Sequence, residues 1–331
     1  MTYSRVLVTG AGGFIGRHVV RDQLRRGWQV RALDLRAEGL QALVADDRLE
    51  LVLGDVAEPE VQRESVDGIE IVFHLASAHL ETGLPDSAYR RINVTAVESL
   101  LEASRRAGVK RFVHVSSCGV HGSIGTEAAD EEAPFRPTIA YERTKLEGEL
   151  LARDYCRRTG FPVVVARPAW VYGPGCGRTA RLFETIASGK FVMIGRGRNV
   201  RSGIYVSDFV AGLELCATCP GVEGEAFIFV NDEKVTVGRI VDEVSRLAGR
   251  QSPRVRVPVW LGWGVATLAE VSARALGRRP PITRRTLKFF TNDAGFTAAK
   301  AQRILGFDPQ VDLRSGLELT WRWWHEDGGG R

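Results

Sequence analysis

The chain has 331 residues, of which 44% are hydrophobic and 26% are charged, and this composition is that of a globular protein rather than a disordered one. The net charge of +5 comes from basic residues scattered along helical segments, which argues against a nucleic-acid surface and suits an anionic small-molecule ligand. Because no stretch of about 18 to 20 apolar residues occurs, no transmembrane helix is expected.

The five cysteines form no pattern of a disulfide framework, and no signal peptide precedes the first predicted strand, so we expect a cytoplasmic protein. Cys216 and Cys219 make a C-x-x-C, but no second ligand pair accompanies them, and we expect both to pack as small apolar residues without a metal. The tail at 325–331 is expected to fray.

The first half of the chain alternates short, apolar, β-branched runs with helical periods. Predicted strands are 5–9, 29–34, 49–55, 69–76, 111–117 and 162–167, and predicted helices are 14–26, 86–107 and 138–159. Continuously apolar strands separated by helices indicate a parallel sheet with both faces covered. We therefore predict an α/β chain built on a Rossmann-type, doubly wound parallel sheet.

The second half changes character after the Gly/Pro-rich loop at 167–175. Its predicted elements are a strand and a helix within 203–216, a strand at 226–230 and a helix at 235–249, and the segment 256–277 carries two tryptophans and an apolar face. We expect 1–170 plus 202–230 to form the Rossmann domain, and 171–201 plus 231–331 to form a smaller α+β substrate-binding domain. Trp260 and Trp263 are expected to pack inside that smaller domain, and the alternative is an apolar lid over a substrate.

A glycine-rich loop joins the first strand to the first helix. Gly10, Gly13 and Gly16 recur every three residues, and Gly12 is added between them. Without Cβ atoms, such a loop turns tightly and brings its backbone N–H groups against a diphosphate, beside the positive end of the helix. A strand before the loop and a helix after it favour a dinucleotide site over a simple turn.

Two acidic residues follow the second and third strands. Asp34 comes 18 residues after Gly16, where a carboxylate accepts hydrogen bonds from the adenosine ribose. Because a carboxylate repels a 2′-phosphate, the predicted cofactor is NAD, while Arg36 keeps NADP open. Asp55 is either an adenine contact or a turn residue.

Ser116 and Ser117 end the fifth strand, at the edge of the sheet where ligands bind. Tyr141 follows 24 residues after Ser117, and Lys145 lies one helical turn further on the same face. The pKa of a tyrosine is ordinarily about 10, and a nearby cation lowers it by stabilising the phenolate. A hydroxyl, a tyrosine and a lysine together make an acid/base set that interconverts a carbinol and a carbonyl with a nicotinamide.

The other charges on this helix are expected to face solvent or an interface. They are Glu142, Arg143, Glu147 and Glu149.

These segments resemble the extended short-chain dehydrogenase/reductases, the NAD-dependent epimerase/dehydratase group. The matching segments are TGAGGFIG (9–16), HLAS (74–77), Asn93 in INVTAV, VSSCGVHG (115–122), YERTK (141–145), RPAWVYGPG (167–175) and IYVSD (204–208). The resemblance implies that Tyr141 is the general acid/base. It also implies that Lys145 holds the nicotinamide ribose and lowers the pKa of Tyr141, and that Ser117, rather than Ser116, is the catalytic hydroxyl.

The resemblance also implies a set of cofactor contacts and a homodimer formed through the helices near 86–107 and 140–158. The expected NAD contacts are Gly10, Gly12, Gly13, Phe14, Ile15, Gly16, Asp34, Leu35, Arg36, Asp55, Val56, Leu75, Ala76, Ser77, Asn93, Val115, Tyr141, Lys145 and Pro168. The expected substrate contacts are Ser117, Cys118, Trp170 and Arg201.

Departures from the family pattern narrow the chemistry. Sugar dehydratases of this family carry Asp-Glu after the catalytic hydroxyl, and here Cys118 and Gly119 stand there, which argues against a dehydratase. Trp170 replaces the asparagine that usually contacts a nucleotide sugar. Arg201 matches the arginine that binds a substrate diphosphate, unless it is simply a solvated loop residue.

The predicted function is NAD-dependent oxidation and reduction at a secondary alcohol or ketone carbon. The favoured substrate is a nucleotide sugar, handled by an epimerase or a 4-keto reductase. The C-terminal segments VPVWLGWGVATLAEV and PPITRRTLKFFTNDAGFTAAKAQRILGF resemble the 3β-hydroxysteroid dehydrogenase branch, so an enzyme acting on an apolar alcohol or ketone is the alternative. A non-catalytic NAD(P)-sensing protein is a third hypothesis.

Overall fold

The computed structural model describes residues 4–79, 84–253, 255–275 and 284–326. The last five residues of the tail that we expected to fray, and residues 280–283 of a C-terminal motif, lie outside these ranges. The strands are β1 (Arg5–Thr9), β2 (Gln29–Asp34), β3 (Leu49–Leu53), β4 (Ile71–His74), β5 (Arg111–Val115), β6 (Gly125–Ala129), β7 (Val163–Pro168), β8 (Trp170–Tyr172), β9 (Met193–Ile194), β10 (Gly203–Tyr205), β11 (Ala226–Phe229), β12 (Arg256–Val257) and β13 (Ala294–Phe296).

The helices separate and cover these strands. They are α1 (Phe14–Arg25), α2 (Pro59–Val66), α3 (Asp86–Arg90), α4 (Ala96–Arg106), α5 (Ala140–Thr159), α6 (Gly177–Ala187), α7 (Val206–Thr218), α8 (Val237–Leu247), α9 (Val259–Ala275), α10 (Arg284–Thr291), α11 (Ala299–Leu305) and α12 (Leu313–Glu326). A π-helical turn, Arg91–Thr95, joins α3 to α4, and a 3₁₀ turn, Cys118–His121, follows β5.

The main sheet is parallel throughout and runs in the order β11-β7-β5-β4-β1-β2-β3. Every residue of β4, β5, β7 and β11 is buried, as expected for strands covered by helices on both faces. The predicted Rossmann-type fold is confirmed. The strand order reverses between β1 and β4, and a crevice for a ligand forms at the carboxyl ends of strands at such a point.

The second half of the chain adds three short parallel strand pairs, β8 with β10, β9 with β12, and β6 with β13. Strand β11 pairs with β7 at the edge of the main sheet. The exact division into two domains stays a prediction. Helix α12 was not predicted, and its Trp321 and Trp324 pack edge-on against Phe183 of α6.

One prediction for the second half differs from the structure. Trp260 does not pack inside the small domain as expected, because 74% of its side chain is exposed on α9. Trp263, by contrast, packs against a small buried cluster of Ile194, Ala266 and Leu287. Trp260 and Trp263 are only three residues apart on α9, yet one faces solvent and the other faces the core. Because most residues of α9 are apolar, its sequence does not indicate which face is covered.

The described residues contain no cluster of His, Cys, Asp or Glu arranged to hold a metal ion. Within the same ranges, no helix combines the length and apolar character needed to cross a membrane. Cys216 is buried and Cys219 half-buried at the end of α7, and both are free thiols.

The predicted helix 86–107 is interrupted by a π-helical turn, and this turn packs against α5. The Asn93 carbonyl oxygen lies so close to Gly148 that a Cβ placed there would sit 2.1 Å from it. A glycine in the middle of a long helix is therefore used for backbone contact between the two elements that carry Asn93 and Lys145.

Replacing Gly148 with alanine should lower the free energy of unfolding by about 2 kcal/mol, because the added methyl group overlaps a backbone atom. Gly264 is the matched control, since it also lies inside a helix but a Cβ added there would meet no heavy atom within 4 Å. Gly264→Ala should raise that free energy by up to about 1 kcal/mol through helix propensity. Urea unfolding of the two variants measures this, and equal effects would contradict the packing argument.

Candidate active site

Two glycines of the glycine loop lie so close to neighbouring backbone atoms that no side chain would fit there. Gly10 has φ of +69°, and a Cβ there would lie 2.8 Å from the backbone nitrogen of Ala76, at the end of β4. A Cβ at Gly16 would lie 2.0 Å from the carbonyl oxygen of Gly10. The loop is thus pressed between α1 and the ends of β1 and β4. Gly13 is exposed at the N-cap of α1, and this geometry fits a dinucleotide diphosphate.

Asp34 closes the next side of this crevice, as its place at the end of β2 predicted. One carboxylate oxygen accepts a hydrogen bond from the Gly12 amide (2.9 Å), and the other accepts one from the Arg36 amide (3.2 Å). Leu35 and Arg36 are exposed beside it. The carboxylate is therefore held at the edge of the glycine loop, in a position suited to a ribose.

Asp55 follows β3 and serves as a turn residue in this structure. Its carboxylate accepts a hydrogen bond from the Ala57 amide (2.9 Å) and one from Arg91 of the π-helical turn (2.7 Å). The same arginine also binds Glu58 (2.7 Å). A contact between Asp55 and adenine stays a prediction.

Asn93 joins the end of β4 to α5. Its side-chain oxygen accepts hydrogen bonds from the Ser77 hydroxyl (3.0 Å) and the Ala78 amide (2.9 Å), and its amide group donates to the Thr144 hydroxyl (3.0 Å). Thr144 immediately precedes Lys145. Asn93 thereby ties the segment predicted to contact NAD to the helix that carries the predicted catalytic residues.

The remaining predicted cofactor contacts lie on the same crevice edge of the sheet or on the glycine loop. Phe14 and Ile15 begin α1, Leu75 and Ala76 follow β4, Val56 follows β3, and Val115 and Pro168 end β5 and β7. They are brought together because parallel strands present their carboxyl ends on one side.

Ser117 caps the 3₁₀ turn that follows β5, and its hydroxyl accepts a hydrogen bond from the Gly119 amide (3.0 Å). A Cβ at Gly119 would lie 3.2 Å from the Ser117 hydroxyl and 3.4 Å from Cγ of Glu142. The turn therefore packs against the start of α5, next to Tyr141. Nearby, the Tyr141 ring meets the His79 ring edge-on at 5.2 Å between ring centres.

Lys145 is 3% exposed, and its ammonium group donates a hydrogen bond to the Val115 carbonyl (2.5 Å) at the end of β5. Burial lowers the pKa of Lys145 to about 8, while the neighbouring Glu149 raises it. The lysine predicted to assist Tyr141 is thus anchored between α5 and the strand that leads to Ser117.

Two histidines lie beneath this lysine and carry no charge at neutral pH. His74 and His114 are buried on β4 and β5, and their rings stack at 5.6 Å. Burial and the Lys145 ammonium lower the pKa of His74 to about 3 and hold the pKa of His114 well below its usual range. Because both imidazoles are neutral, they add no positive charge that would repel the Lys145 ammonium.

Glu149 is not the solvent or interface charge that its helical pattern predicted. It is fully buried and pairs with the equally buried Arg167 of β7, whose Nε lies 3.0 Å from one carboxylate oxygen. The other oxygen accepts a hydrogen bond from the Ser116 hydroxyl (2.6 Å). In the sequence, only the i, i+4 spacing from Lys145 indicated that Glu149 lies near the predicted site. Its hydrogen-bond partners lie on or next to other strands.

The predicted substrate residues are all buried or half-buried in this structure. The Cys118 thiol donates to the Arg167 carbonyl (3.2 Å). Trp170 stacks on Tyr172 at 4.7 Å and meets the Phe289 ring edge-on at 5.6 Å. The surroundings of Trp170 are consequently aromatic.

Arg201 is half-buried and bonded to backbone carbonyls, so the solvated-loop alternative does not describe it. Its guanidinium donates to the carbonyls of Lys288 (2.8 Å) and Phe289 (3.2 Å) and lies 4.7 Å from the centre of the Phe289 ring. Burial lowers the pKa of Arg201 to about 10. Arg201 holds helix α10 in place, and the predicted contact with a substrate diphosphate stays a prediction.

Sequence reasoning missed a basic side chain beside the glycine loop. Arg17, one residue after Gly16, packs its guanidinium against Gly175 in the loop after β8, and His18 contacts the Pro174 carbonyl (2.9 Å). The loop at 173–176 therefore covers the start of α1. Arg17 was adjacent to a recognised motif, but its position near the glycine loop depends on that distant loop.

A profile of the NAD dependent epimerase/dehydratase family matches residues 6–227. The sterol demethylase protein B of Methylococcus capsulatus is 31% identical over 97% of this chain and 98% of that protein. The 3 beta-hydroxysteroid dehydrogenase/Delta 5-->4-isomerase of Mycobacterium tuberculosis H37Rv is 32% identical over 95% of this chain and 88% of that protein. The solved structure of MoeE5 in complex with UDP-glucose and NAD is 28% identical, with a TM-score of 0.77 and coverage of 98% and 99%.

Asp34→Asn should raise the dissociation constant for NAD about tenfold and bring the dissociation constants for NAD and NADP closer together. The asparagine keeps an oxygen that accepts from the Gly12 amide but has no negative charge. Asp46→Asn is the matched control, since Asp46 is a surface residue paired with Arg48. Dissociation constants for both cofactors, measured by titration calorimetry, test this. If the ratio of the dissociation constants for NADP and NAD is unchanged in Asp34→Asn, the assignment of Asp34 to the cofactor site is wrong.

Proposed function

The chain belongs to the NAD-dependent epimerase/dehydratase family, and from this premise we propose that it oxidises and reduces a secondary alcohol or ketone carbon with Tyr141 as its acid/base. The observation that carries the proposal is the buried Lys145, fixed one helical turn from Tyr141 and bonded to the strand that leads to Ser117. NAD is the cofactor of this family, and the glycine loop and Asp34 fit its diphosphate and ribose.

In the proposed mechanism, the chain's own residues handle the proton. Ser117 binds the substrate oxygen, and Tyr141 removes the proton of the hydroxyl group during oxidation or returns it during reduction. The Lys145 ammonium stabilises the Tyr141 phenolate and lowers its pKa. NAD, when bound, supplies hydride acceptance and return at the carbinol carbon.

For the substrate, we infer an apolar alcohol or ketone, and the bonding of Arg201 to backbone carbonyls carries this inference. The guanidinium that a nucleotide diphosphate would need is engaged with two backbone carbonyls and the Phe289 ring. Trp170 and Phe289 add aromatic surface at the same place. The two relatives from Methylococcus and Mycobacterium are named for sterols and steroids, which supports the same substrate class.

A nucleotide sugar, handled by an epimerase or 4-keto reductase, is the second candidate. Its specific support is the 28% identical MoeE5, whose solved structure holds UDP-glucose and NAD. In this structure two of the three guanidinium nitrogens of Arg201, Nε and Nη2, already donate to carbonyls of α10, which makes the group less suited to such a substrate. A dehydratase is disfavoured, because Cys118 and Gly119 supply no carboxylate, and Gly119 lies tightly against Ser117 and Glu142.

We also propose a homodimer formed through the helices near 86–107 and 140–158. Leu150 on α5 supports it, since this large apolar side chain is 45% exposed at the middle of the proposed interface.

Tyr141→Phe should reduce turnover by roughly a thousandfold or more, because the phenol oxygen that carries the proton is gone. The dissociation constant for NAD should stay within about twofold. Tyr155→Phe, on the same helix but bonded to Glu102 and Arg105, is the matched control and should remain active. Full activity in Tyr141→Phe would overturn the assignment.

The two substrate classes differ in what happens to the electrons. With a 3β-hydroxysteroid and added NAD, the proposed dehydrogenase should form NADH in a one-to-one ratio with ketone, followed by absorbance and chromatography. With UDP-glucose, an epimerase would form product without net NADH. Sugar epimerisation in the absence of steroid oxidation would reverse the order of the two candidates.

A further inference from the structure

Glu149 lies one turn beyond Lys145 on α5 and is buried as Lys145 is, whereas Arg143 and Glu147 of the same helix are exposed. Its side chain is 0% exposed and that of Arg167 is 1% exposed, and several hydrogen bonds join the two in an ion pair. A buried ion pair of this kind is weak evidence for stability, because the cost of removing both charges from water offsets much of their attraction. Its position beside the catalytic helix calls for another explanation.

The pair contacts both ends of the turn that carries Ser117. Glu149 accepts a hydrogen bond from Ser116, the residue before it (2.6 Å). On the other side, Arg167 reaches Nε2 of His121 at the end of the turn (3.2 Å), and its carbonyl accepts from the Cys118 thiol (3.2 Å). The turn is therefore held from two directions by one ion pair.

The same carboxylate also sets the charge environment of Lys145. The groups that face the ammonium are the neutral His74 on β4, the neutral His114 on β5, the Val115 carbonyl and Glu149 on its own helix. Arg167 on β7 stands behind Glu149 and is engaged with it. Among these groups, Glu149 supplies the negative charge.

We propose that Glu149 is a positioning residue with two effects on the active site. Through Arg167 and Ser116 it fixes the turn of Ser117 against α5, and through its charge it keeps Lys145 protonated beside Tyr141. The proposal deepens the proposed function and rests on it for the roles of Ser117 and Tyr141, but the protonation of Lys145 can be measured without turnover.

The charge effect is tested by NMR on the full-length protein with lysine labelled by ¹³C at Cε. The chain has six lysines, and the signal of Lys145 is assigned as the one missing in Lys145→Arg. In Glu149→Gln the pKa of Lys145 should fall by about one unit or more, because an opposite charge has been removed. Glu147→Gln, which breaks the exposed pair with Arg90 on the same helix, should leave it unchanged.

Glu149→Gln leaves Arg167 buried without a partner and risks unfolding. The double variant Glu149→Gln/Arg167→Gln removes both charges, so it avoids this cost. The pKa of Lys145 should still fall there, but by less than in Glu149→Gln, because the loss of the Arg167 charge also removes a repulsion. An unchanged pKa in whichever of these variants folds would overturn the charge effect.

The positioning effect is tested by Ser116→Ala, which keeps the ion pair balanced and removes one bond to Glu149. We expect turnover to fall about tenfold, with NAD affinity and the pKa of Lys145 unchanged. Wild-type turnover in Ser116→Ala would overturn the positioning effect. Full activity of Tyr141→Phe would overturn the proposed function instead, so the two failures are distinguishable.

Discussion

The ion pair between Glu149 and Arg167 connects the elements on which the site depends. It joins α5 to β7, and through Ser116 and His121 it reaches the end of β5 and the turn of Ser117. A charge in an apolar interior must have a partner, so neither residue can move without a large cost in free energy. This constraint fixes the position of α5 relative to the end of β5.

The charges around the site are arranged to keep one cation in place. Lys145 is buried, which by itself favours its neutral form, and Glu149 opposes that effect. The two neighbouring histidines stay neutral because they too are buried. In the proposed mechanism this positive charge stabilises the Tyr141 phenolate, which tyrosine needs in order to act as an acid/base near neutral pH.

The proposed cofactor site and the proposed substrate site depend on different kinds of contact. The proposed cofactor site combines strand ends, which a parallel sheet of this order presents on one side, with the glycine loop and Asp34, which this sequence supplies. The proposed substrate site depends on side chains, among them Trp170, Arg201 and Phe289. A relative named for a sterol and a structural neighbour that holds UDP-glucose both match nearly the whole chain, so the fold by itself does not select the substrate.

The sequence alone determined the parallel sheet, the glycine loop, Asp34 and the spacing of Tyr141 and Lys145, because each is a local pattern read over a few residues. It did not determine that Glu149 is buried, that Arg201 caps α10, or that Trp260 is exposed on α9. The first two depend on partners 18 or more residues away, Arg167 for Glu149 and Lys288 for Arg201. The helical pattern of a charged residue is the same whether the residue contacts water or a distant arginine. Only the tertiary structure decides which of the two it contacts.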